Sequence, residues 1–367
     1  MRRNLLVALG LAVVVAGVTV AILREGDEST SHQLPPAPPP APSAKRQPWT
    51  TPEPESALTM VNPQNTSLWL RRQWLHTDVT ASEVKELASA LQANGVTRVY
   101  PFLGGMNESG VPGWRSLGVH RAFSQERIST FTNLLHAADP SIEILPWTGG
   151  VPGRDFKWGN ATQLAAFVAQ MKTLTDHGAN GVHLNMEPVA SDDMGFLSLV
   201  RDVRAALPKD KSVSIAAVAP RNDRISMSPE RYWSPEYLKA LCEPADEIVI
   251  MGYDTWLTDR SEYERVVAEW TAQLAALLPT DAEHGCIWRM GVPTYDDDMP
   301  HHKLDVERID VALRGVKAGL ASAKSPGGFA GIALYSSWTT DEQEWAAYDA
   351  LWLGRKSGSV VITEPVR

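Results

Sequence analysis

The chain has 367 residues, a formal net charge of −9 and a pI near 5.5. Its hydrophobic fraction of 44% and charged fraction of 21% are typical of soluble globular domains. An acidic chain lacks the electrostatic footprint of a nucleic-acid-binding protein. We find no Gly-rich phosphate loop, Walker sequence or CxxC pair, so the sequence predicts no nucleotide, redox or other cofactor.

The N-terminal segment predicts a membrane anchor. An uncharged apolar run at residues 5–23 follows Arg2 and Arg3, which places the N-terminus in the cytoplasm. We favour an uncleaved signal-anchor over a cleaved signal peptide because the run is long enough to span a bilayer, although Thr19-Val-Ala21 is a tolerable cleavage site. Residues 1–30 are therefore predicted to hold the protein in the membrane, with the remainder outside the cytoplasm, or secreted if cleavage occurs.

A proline-rich segment follows the anchor. Nine prolines between Leu34 and Pro54 predict an extended polyproline II spacer. We assign residues 31–63 to this linker, 64–356 to one catalytic domain and 357–367 to a C-terminal tail.

Strand-like and helix-like segments alternate through the domain. We predict strands at 67–74, 96–104, 142–147, 182–187, 212–220, 246–254, 286–294 and 328–338. Helices are predicted at 81–95, 124–137 and 161–178, with Asn160 as an N-cap, and from about 191, 234, 261, 304 and 340. Eight such units predict a single-domain α/β fold, the (β/α)8 TIM barrel. A doubly wound sheet competes, but it would not need eight repeats or lack a Gly-rich first turn.

The fourth predicted strand has an unusual polar face. Side chains alternate between the two faces of a strand, so its apolar and polar residues separate: Val182, Leu184 and Met186 on one side, and His183, Asn185 and Glu187 on the other. Strands of parallel sheets are usually apolar on both faces. Polar groups at the C-terminal end of a barrel strand predict the active site.

Other strand ends carry residues suited to a sugar cleft. Several predicted strands end in, or are followed by, carboxyl, hydroxyl or tryptophan side chains, namely Trp147, Tyr253, Asp254, Trp256, Asp296 and Trp338, and Met251 lies beside them on the sixth strand. Exposed tryptophans stack on the apolar faces of sugar rings, although each could equally belong to the core. Asp296, Asp297, Asp298, His301 and His302 lack a metal-ligand spacing, so we predict no metal site.

These motifs resemble glycoside hydrolase family 18, the chitinase-like barrels. The family pattern Asp-Gly-x-x-Asp-x-Asp-x-Glu is similar to the stretch that carries Asn180, His183, Asn185 and Glu187. Met251-Gly-Tyr253-Asp254 is similar to the family's Met-x-Tyr-Asp, and Trp338 to the tryptophan beneath its sugar subsite. The resemblance covers residues 67–353 in order.

The resemblance implies a mechanism and a polysaccharide or oligosaccharide partner. It implies that Glu187 protonates the leaving oxygen, that Asn185 holds the substrate's 2-acetamido group, and that Tyr253 supports the intermediate. The implied substrate is a β-linked N-acetylhexosamine glycan such as chitin, peptidoglycan or an N-glycan. Family 85 endo-β-N-acetylglucosaminidases similarly have asparagine two residues before the acid.

The replaced acidic residues leave alternatives open. A glycan-binding pseudoenzyme would fit the loss of carboxyls at 183 and 185, and Glu187 could be purely structural. A two-carboxylate glycosidase could instead pair Glu187 with Asp254 or with an aspartate of the seventh strand. Asp254 could also cap the following helix, and His183 fits an interior, hydrogen-bonded histidine better than a catalyst. Substrate contacts are nevertheless predicted for a wider set: His183, Met251, Trp147, Trp256, Trp338 and Asp296.

Cys242 and Cys286 are the only cysteines. Both are predicted at the face of the barrel opposite the active site. A disulfide and a pair of buried free thiols fit the sequence equally well.

Overall fold

The computed structural model describes residues 49–54, 65–116, 119–225, 231–278 and 286–365. The predicted anchor and most of the predicted linker lie outside these ranges. Within them, no helix has the length and apolar character required to cross a bilayer.

The strands form a closed parallel barrel. In chain order they are β1 Thr66–Leu70, β2 Val96–Met106, β3 Pro112–Ser116, β4 Val119–Ala122, β5 Glu143–Ile144, β6 Trp147–Gly150, β7 Gly181–Met186, β8 Ser212–Val218, β9 Glu247–Met251, β10 Ile287–Pro293 and β11 Phe329–Tyr335. β5 and β6 share one barrel position beside β2, and β1 pairs with both β2 and β11. Eight positions result, which confirms the predicted (β/α)8 barrel.

Helices surround the barrel. They are α1 Gln73–His76, α2 Ala81–Ala93, α3 Gln125–Ala138, α4 Ala161–Asp176, α5 Met194–Ala206, α6 Pro235–Cys242, α7 Arg260–Leu277, α8 Ile309–Ser322 and α9 Glu342–Tyr348, which continues into a π-helical turn at Asp349–Leu353. The predicted N-cap of α4 is observed, since the Asn160 side chain accepts a hydrogen bond from Gln163 N. Each amphipathic helix buries its apolar face against the strands.

Several boundaries differ from the prediction. The first strand ends at Leu70 instead of extending to 74, because the next residues form α1 and bury Trp74 and Leu75 on its face. The loop predicted after the second strand contains the antiparallel β3–β4 hairpin. The third strand is interrupted at Pro146, whose nitrogen cannot donate to the ladder. The helix predicted from 191 begins at Met194, where the Asp193 side chain caps its first turn.

A charged network crosses the lower barrel interior. Glu247 is fully buried, and its carboxylate binds Arg98 Nη1 and Arg289 Nε, each at 2.6 Å. Tyr100 Oη and Ser214 Oγ donate to the same carboxylate at 2.7 and 2.6 Å. Burial opposes ionisation, but these charges and hydrogen bonds hold the pKa of Glu247 well below its usual value. The network joins β2, β8, β9 and β10.

The cysteines form a disulfide. Cys242 ends α6 and Cys286 directly precedes β10, and their Cα atoms lie 5.5 Å apart. The bond connects two elements at the bottom of the barrel, 44 residues apart in sequence. Of the two alternatives, a disulfide and a pair of free thiols, the structure contains the disulfide.

Both ends of the described chain pack against the barrel. Trp49, in the predicted linker, lies under the Arg308 guanidinium at 4.0 Å from its ring centre. The predicted tail docks against the opposite face, where Val360 N donates to Asn94 Oδ1 at 2.7 Å, and then continues to the rim. There Glu364 accepts a hydrogen bond from Ser337 Oγ. Ile362, between these contacts, is buried.

Candidate active site

β7 directs its polar face into the barrel. His183 and Asn185 are buried, and Glu187 follows the strand at its C-terminal end, before a cis peptide bond to Pro188. A close approach of β6 supports this geometry, because a Cβ at Gly149 would lie 1.7 Å from the Asn185 carbonyl oxygen. Only glycine fits there.

Glu187 has the electrostatic character of a general acid. Burial, followed by the negative charge of Asp254, raises the pKa of Glu187 to about 7, against a smaller opposing hydrogen bond from Asn185. The carboxyl therefore remains partly protonated near neutral pH. A proton donor with a pKa close to the working pH is the most effective acid catalyst.

Asn185 offers an unused acceptor beside the acid. Its side chain donates to Glu187, and its Oδ1 is buried with no donor among the described residues. Buried polar atoms normally have a hydrogen-bond partner, so an unsatisfied acceptor in a cleft indicates a ligand group. An amide N–H would satisfy it.

His183 is a neutral member of the interior network. Its Nδ1 lies 2.8 Å from Ser214 Oγ, and Ser214 in turn donates to Glu247. Because Ser214 donates its hydroxyl hydrogen to Glu247, Ser214 Oγ must accept the hydrogen bond from His183. The proton of the neutral imidazole is therefore on Nδ1. Burial lowers the pKa of His183 to about 3, so the ring carries no charge that could keep Glu187 ionised.

Tyrosine side chains gather at the ends of three adjacent strands. Tyr253 follows β9, Tyr295 follows β10 and Tyr335 ends β11. The Tyr253 and Tyr335 rings stack at 5.4 Å between centres. Burial and the nearby carboxylates raise the pKa of Tyr253 well above its usual value, so its hydroxyl remains a hydrogen-bond donor.

Asp254 is held as an anion. Its Oδ1 accepts from Tyr295 Oη at 2.7 Å and lies 3.1 Å from His302 Nδ1. Burial raises its pKa, but the His302 hydrogen bond, the charges of His301 and His302, and the Tyr295 hydrogen bond leave the pKa of Asp254 below its usual value. The N-cap of α7 is Asp259, so Asp254 does not cap that helix.

Asp254, His301 and His302 place potential metal-binding atoms within 4.8 Å of one another. However, the second ring nitrogen of His302 also has an acceptor, the Asp297 carbonyl oxygen at 3.1 Å. Burial lowers the pKa of His302, but the hydrogen bonds to Asp254 and Asp297 raise it to about 9. His302 is therefore a charged imidazolium whose two ring nitrogens both have hydrogen-bond acceptors. We interpret Asp254 and His302 as an ion pair instead of as metal ligands.

The predicted tryptophans occupy different environments. Trp147 is only 4% exposed and packs in the barrel interior, whereas Trp256 is 38% exposed at the rim. Trp338 is half-buried under the Arg71 guanidinium, 5.7 Å from its ring centre. Met251 is half-buried at the end of β9, and Asp296 is exposed on the β10–α8 loop.

Sequence reasoning did not select several residues of this cluster. Tyr335, Tyr295, Glu307 and Arg231 contact Tyr253, Asp254 or their backbone. Tyr295 and Tyr335 follow or end predicted strands at the rim, but the sequence assigned them no role. Glu307 and Arg231 lie within loops, where no alternation or motif in the sequence indicates a functional residue.

A comparison with protein-family profiles identifies the family. The profile of "Glycosyl hydrolases family 18" matches residues 76–307, more than half of the chain. Comparison with curated protein sequences gave no match.

Among solved structures, the spore cortex-lytic enzyme SleL of Bacillus cereus is 13% identical, with a TM-score of 0.50 over 78% of this chain and 74% of that one. The chitinase ChiB of Flavobacterium johnsoniae is 16% identical, with a TM-score of 0.49 over 79% and 93%. At these identities the likeness concerns the fold. The profile match over the barrel, together with the fold, shows that the chain belongs to glycosyl hydrolases family 18.

Proposed function

We propose that this protein hydrolyses β-linked N-acetylhexosamine glycans of the chitin or peptidoglycan type, with the substrate's own acetamido group as nucleophile. The observation that carries the proposal is the pairing of Glu187, with a pKa near 7, and Asn185, whose Oδ1 is buried and unsatisfied. A 2-acetamido N–H is the donor that such an acceptor would bind.

The proposed first step transfers the Glu187 proton to the glycosidic oxygen. The acetamido carbonyl oxygen attacks the anomeric carbon as the bond to the leaving sugar breaks, which gives an oxazolinium ion and a Glu187 carboxylate. Asn185 is neutral, so the N–H proton stays on the intermediate and donates to Oδ1. Nearby Asp254, held ionised by His302, supplies the negative charge that stabilises this cation.

The proposed second step restores the enzyme. The Glu187 carboxylate takes a proton from water, the water oxygen forms a bond to the anomeric carbon, and the oxazolinium ring opens to the acetamido group. The anomeric configuration is retained. The Tyr253 hydroxyl is proposed to donate to the acetamido oxygen, since its raised pKa keeps it protonated.

The disulfide supports the further proposal that the domain acts outside the cytoplasm, attached through the apolar segment 5–23. Disulfides persist mainly in oxidising compartments. Protease treatment of intact cells tests this proposal: a domain outside the cytoplasm is digested, whereas a cytoplasmic domain is protected.

The activity test follows product formation by mass spectrometry on chitooligosaccharides and peptidoglycan. Wild-type protein is expected to cleave, and Glu187→Gln to lose at least about a hundredfold in kcat, the contribution typical of a general acid. Glu236→Gln, at an exposed position of α6, is the matched control and is expected to retain wild-type activity.

Two results would contradict the proposal. Equal cleavage by wild type and Glu187→Gln would make Glu187 structural. Binding of the glycans without cleavage by any variant would instead indicate the pseudoenzyme alternative, for which the histidine at 183 and the asparagine at 185 are the supporting observations.

A further inference from the structure

The segment after β9 has an unfavourable backbone conformation. Asp254 and Trp256 have φ values of +59° and +64°, in the left-handed region that residues other than glycine rarely adopt. Strain of this kind persists only when surrounding contacts enforce it, and it concentrates at functional sites. The two strained residues are those that present a carboxylate and a partly exposed indole to the cleft.

The Glu307 side chain, from the β10–α8 loop, binds two backbone N–H groups and one hydroxyl of this segment. Asp254 N and Thr255 N donate to the two carboxylate oxygens of Glu307, each at 2.7 Å. Thr255 Oγ1 donates to the same carboxylate at 2.6 Å. Glu307 is fully buried, and it serves this segment instead of capping α8, which begins two residues later.

A second loop binds the segment from the other side. Arg231 Nη2 donates to the Asp254 carbonyl oxygen at 2.7 Å, and the same guanidinium lies over the Trp256 ring at 5.0 Å. The β10–α8 loop, which carries Glu307, adds a further contact, since Trp256 N donates to the His301 carbonyl oxygen at 2.8 Å. These contacts fix both the path of the chain and the side of the indole that remains open.

We propose that Glu307 and Arg231 are positioning residues that hold residues 254–256 in the strained conformation needed to place the Asp254 carboxylate and the Trp256 indole for glycan binding. Glu307 fixes two consecutive N–H groups, which determines the turn at Asp254. Arg231 binds the carbonyl on the opposite side of the turn and supports one face of Trp256. The claim that Asp254 and Trp256 bind a glycan rests on the proposed function, whereas the claim that Glu307 and Arg231 hold the turn does not.

The first test is amide hydrogen exchange, which does not depend on any substrate. Glu307→Gln keeps the size of the side chain but replaces one acceptor oxygen with an NH2 group. We expect the amide of residue 254 or that of residue 255, whichever loses its acceptor oxygen, to exchange at least about tenfold faster in this variant. Unchanged exchange would overturn the proposal.

Asp349→Asn is the matched control. Asp349 is also buried, and it accepts hydrogen bonds from Arg355 Nε, Ser359 N and Ser359 Oγ at 2.7, 2.9 and 2.7 Å, but at the bottom of the barrel. This variant is expected to lower the melting temperature without altering exchange at 254–256 or the kinetic constants.

The second test measures glycan kinetics. Glu307→Gln is expected to raise KM and lower kcat, with kcat/KM reduced at least about tenfold, because both indole and carboxylate are displaced. Arg231→Gln is expected to act mainly on KM, through Trp256. Faster exchange with unchanged kcat/KM would refute the positioning role.

Thr255→Val provides a milder alternative if Glu307→Gln fails to fold. It removes the Oγ1 donor to Glu307 and the Oγ1 acceptor of Leu257 N, while the Thr255 N–H keeps its acceptor on Glu307. We expect faster exchange at Thr255 with a smaller loss in kcat/KM. If the wild-type protein cleaves no glycan, the proposed hydrolase function fails. Exchange still decides whether Glu307 fixes the turn, and calorimetry with chitotetraose then decides whether the turn places ligand-binding groups.

Discussion

At the scale of single residues, the acid Glu187 is tuned without the carboxyl that the family pattern has two positions before it. Asn185 contributes a hydrogen bond that lowers the pKa of Glu187, and the neutral His183 contributes no positive charge to lower it further. Burial and Asp254 therefore raise the pKa of Glu187. The repulsion that a carboxyl at position 185 would supply from the same strand therefore comes from Asp254, which follows a different strand.

This arrangement predicts the pH dependence of hydrolysis. The acid must be protonated, and its pKa in the free protein is raised to about 7, so kcat/KM is expected to be constant at pH 5–6 and to fall as the pH rises through about 7. The measurement is a pH–rate profile on a neutral chitooligosaccharide. A profile flat to pH 8 would exclude Glu187 as the acid.

Asn185→Asp is the informative companion variant. It removes the hydrogen bond that lowers the pKa of Glu187 and adds a like charge beside it, so the descending limb is expected to move upward by about one pH unit. Asp176→Asn, on the surface of α4, is expected to leave the limb in place.

Part of this candidate site could be predicted because strand ends are recognisable from the alternation of apolar and polar residues and because barrels place their active sites there. Glu187, Asp254 and Trp256 were predicted in this way. Glu307 was not, since its partner Asp254 lies 53 residues earlier and only the closed fold brings them together. Trp147, for which a substrate contact and a core position were both predicted, is 4% exposed in the barrel interior, and its contact with substrate stays a prediction.

At the scale of elements, the disulfide connects α6 to the start of β10 and so fixes the elements on either side of β9. Sequence could not choose between a bond and free thiols, because the choice depends on the 5.5 Å separation of two Cα atoms that only folding sets. The β3–β4 hairpin was likewise read as a loop, since its strands are short and lack apolar alternation.

Removing the disulfide is expected to lower stability without removing activity. The bond closes a 44-residue separation, for which chain entropy indicates a loss of about 2–4 kcal/mol in the free energy of unfolding. Urea unfolding of the Cys242→Ser, Cys286→Ser double variant measures this loss, with reduced wild type for comparison. Retained glycan hydrolysis in native buffer is expected, and loss of activity in a folded variant would contradict this account.

At the scale of the whole molecule, one buried carboxylate joins strands from different sides of the barrel. Glu247 on β9 binds Arg98 on β2 and Arg289 on β10, while Ser214 on β8 connects it to His183 on β7. The overall (β/α)8 fold was predictable from the repeat of strands and helices. The pairings of this interior network were not, since its residues lie on five different strands and only the closed barrel brings them together.

Glu247→Gln is expected to destabilise the barrel strongly. The change leaves two buried guanidinium groups without their shared anion, which typically costs about 3–5 kcal/mol. Urea denaturation measures the effect. Asp176→Asn removes an ion pair in which both side chains are 52% exposed, and a loss of about 1 kcal/mol or less is expected there. Similar losses in the two variants would show that the network is not the stabilising feature.

The docked ends of the described chain have a practical consequence. Trp49 contacts Arg308 and Gln343 at the starts of α8 and α9, and Glu364 contacts Ser337 after β11, so both ends leave the barrel on the cleft side. A fusion partner or solid support joined directly before Trp49 or directly after residue 365 would stand beside the cleft and limit how long a polymer can enter from that direction. A label placed at the disulfide face would leave that route open.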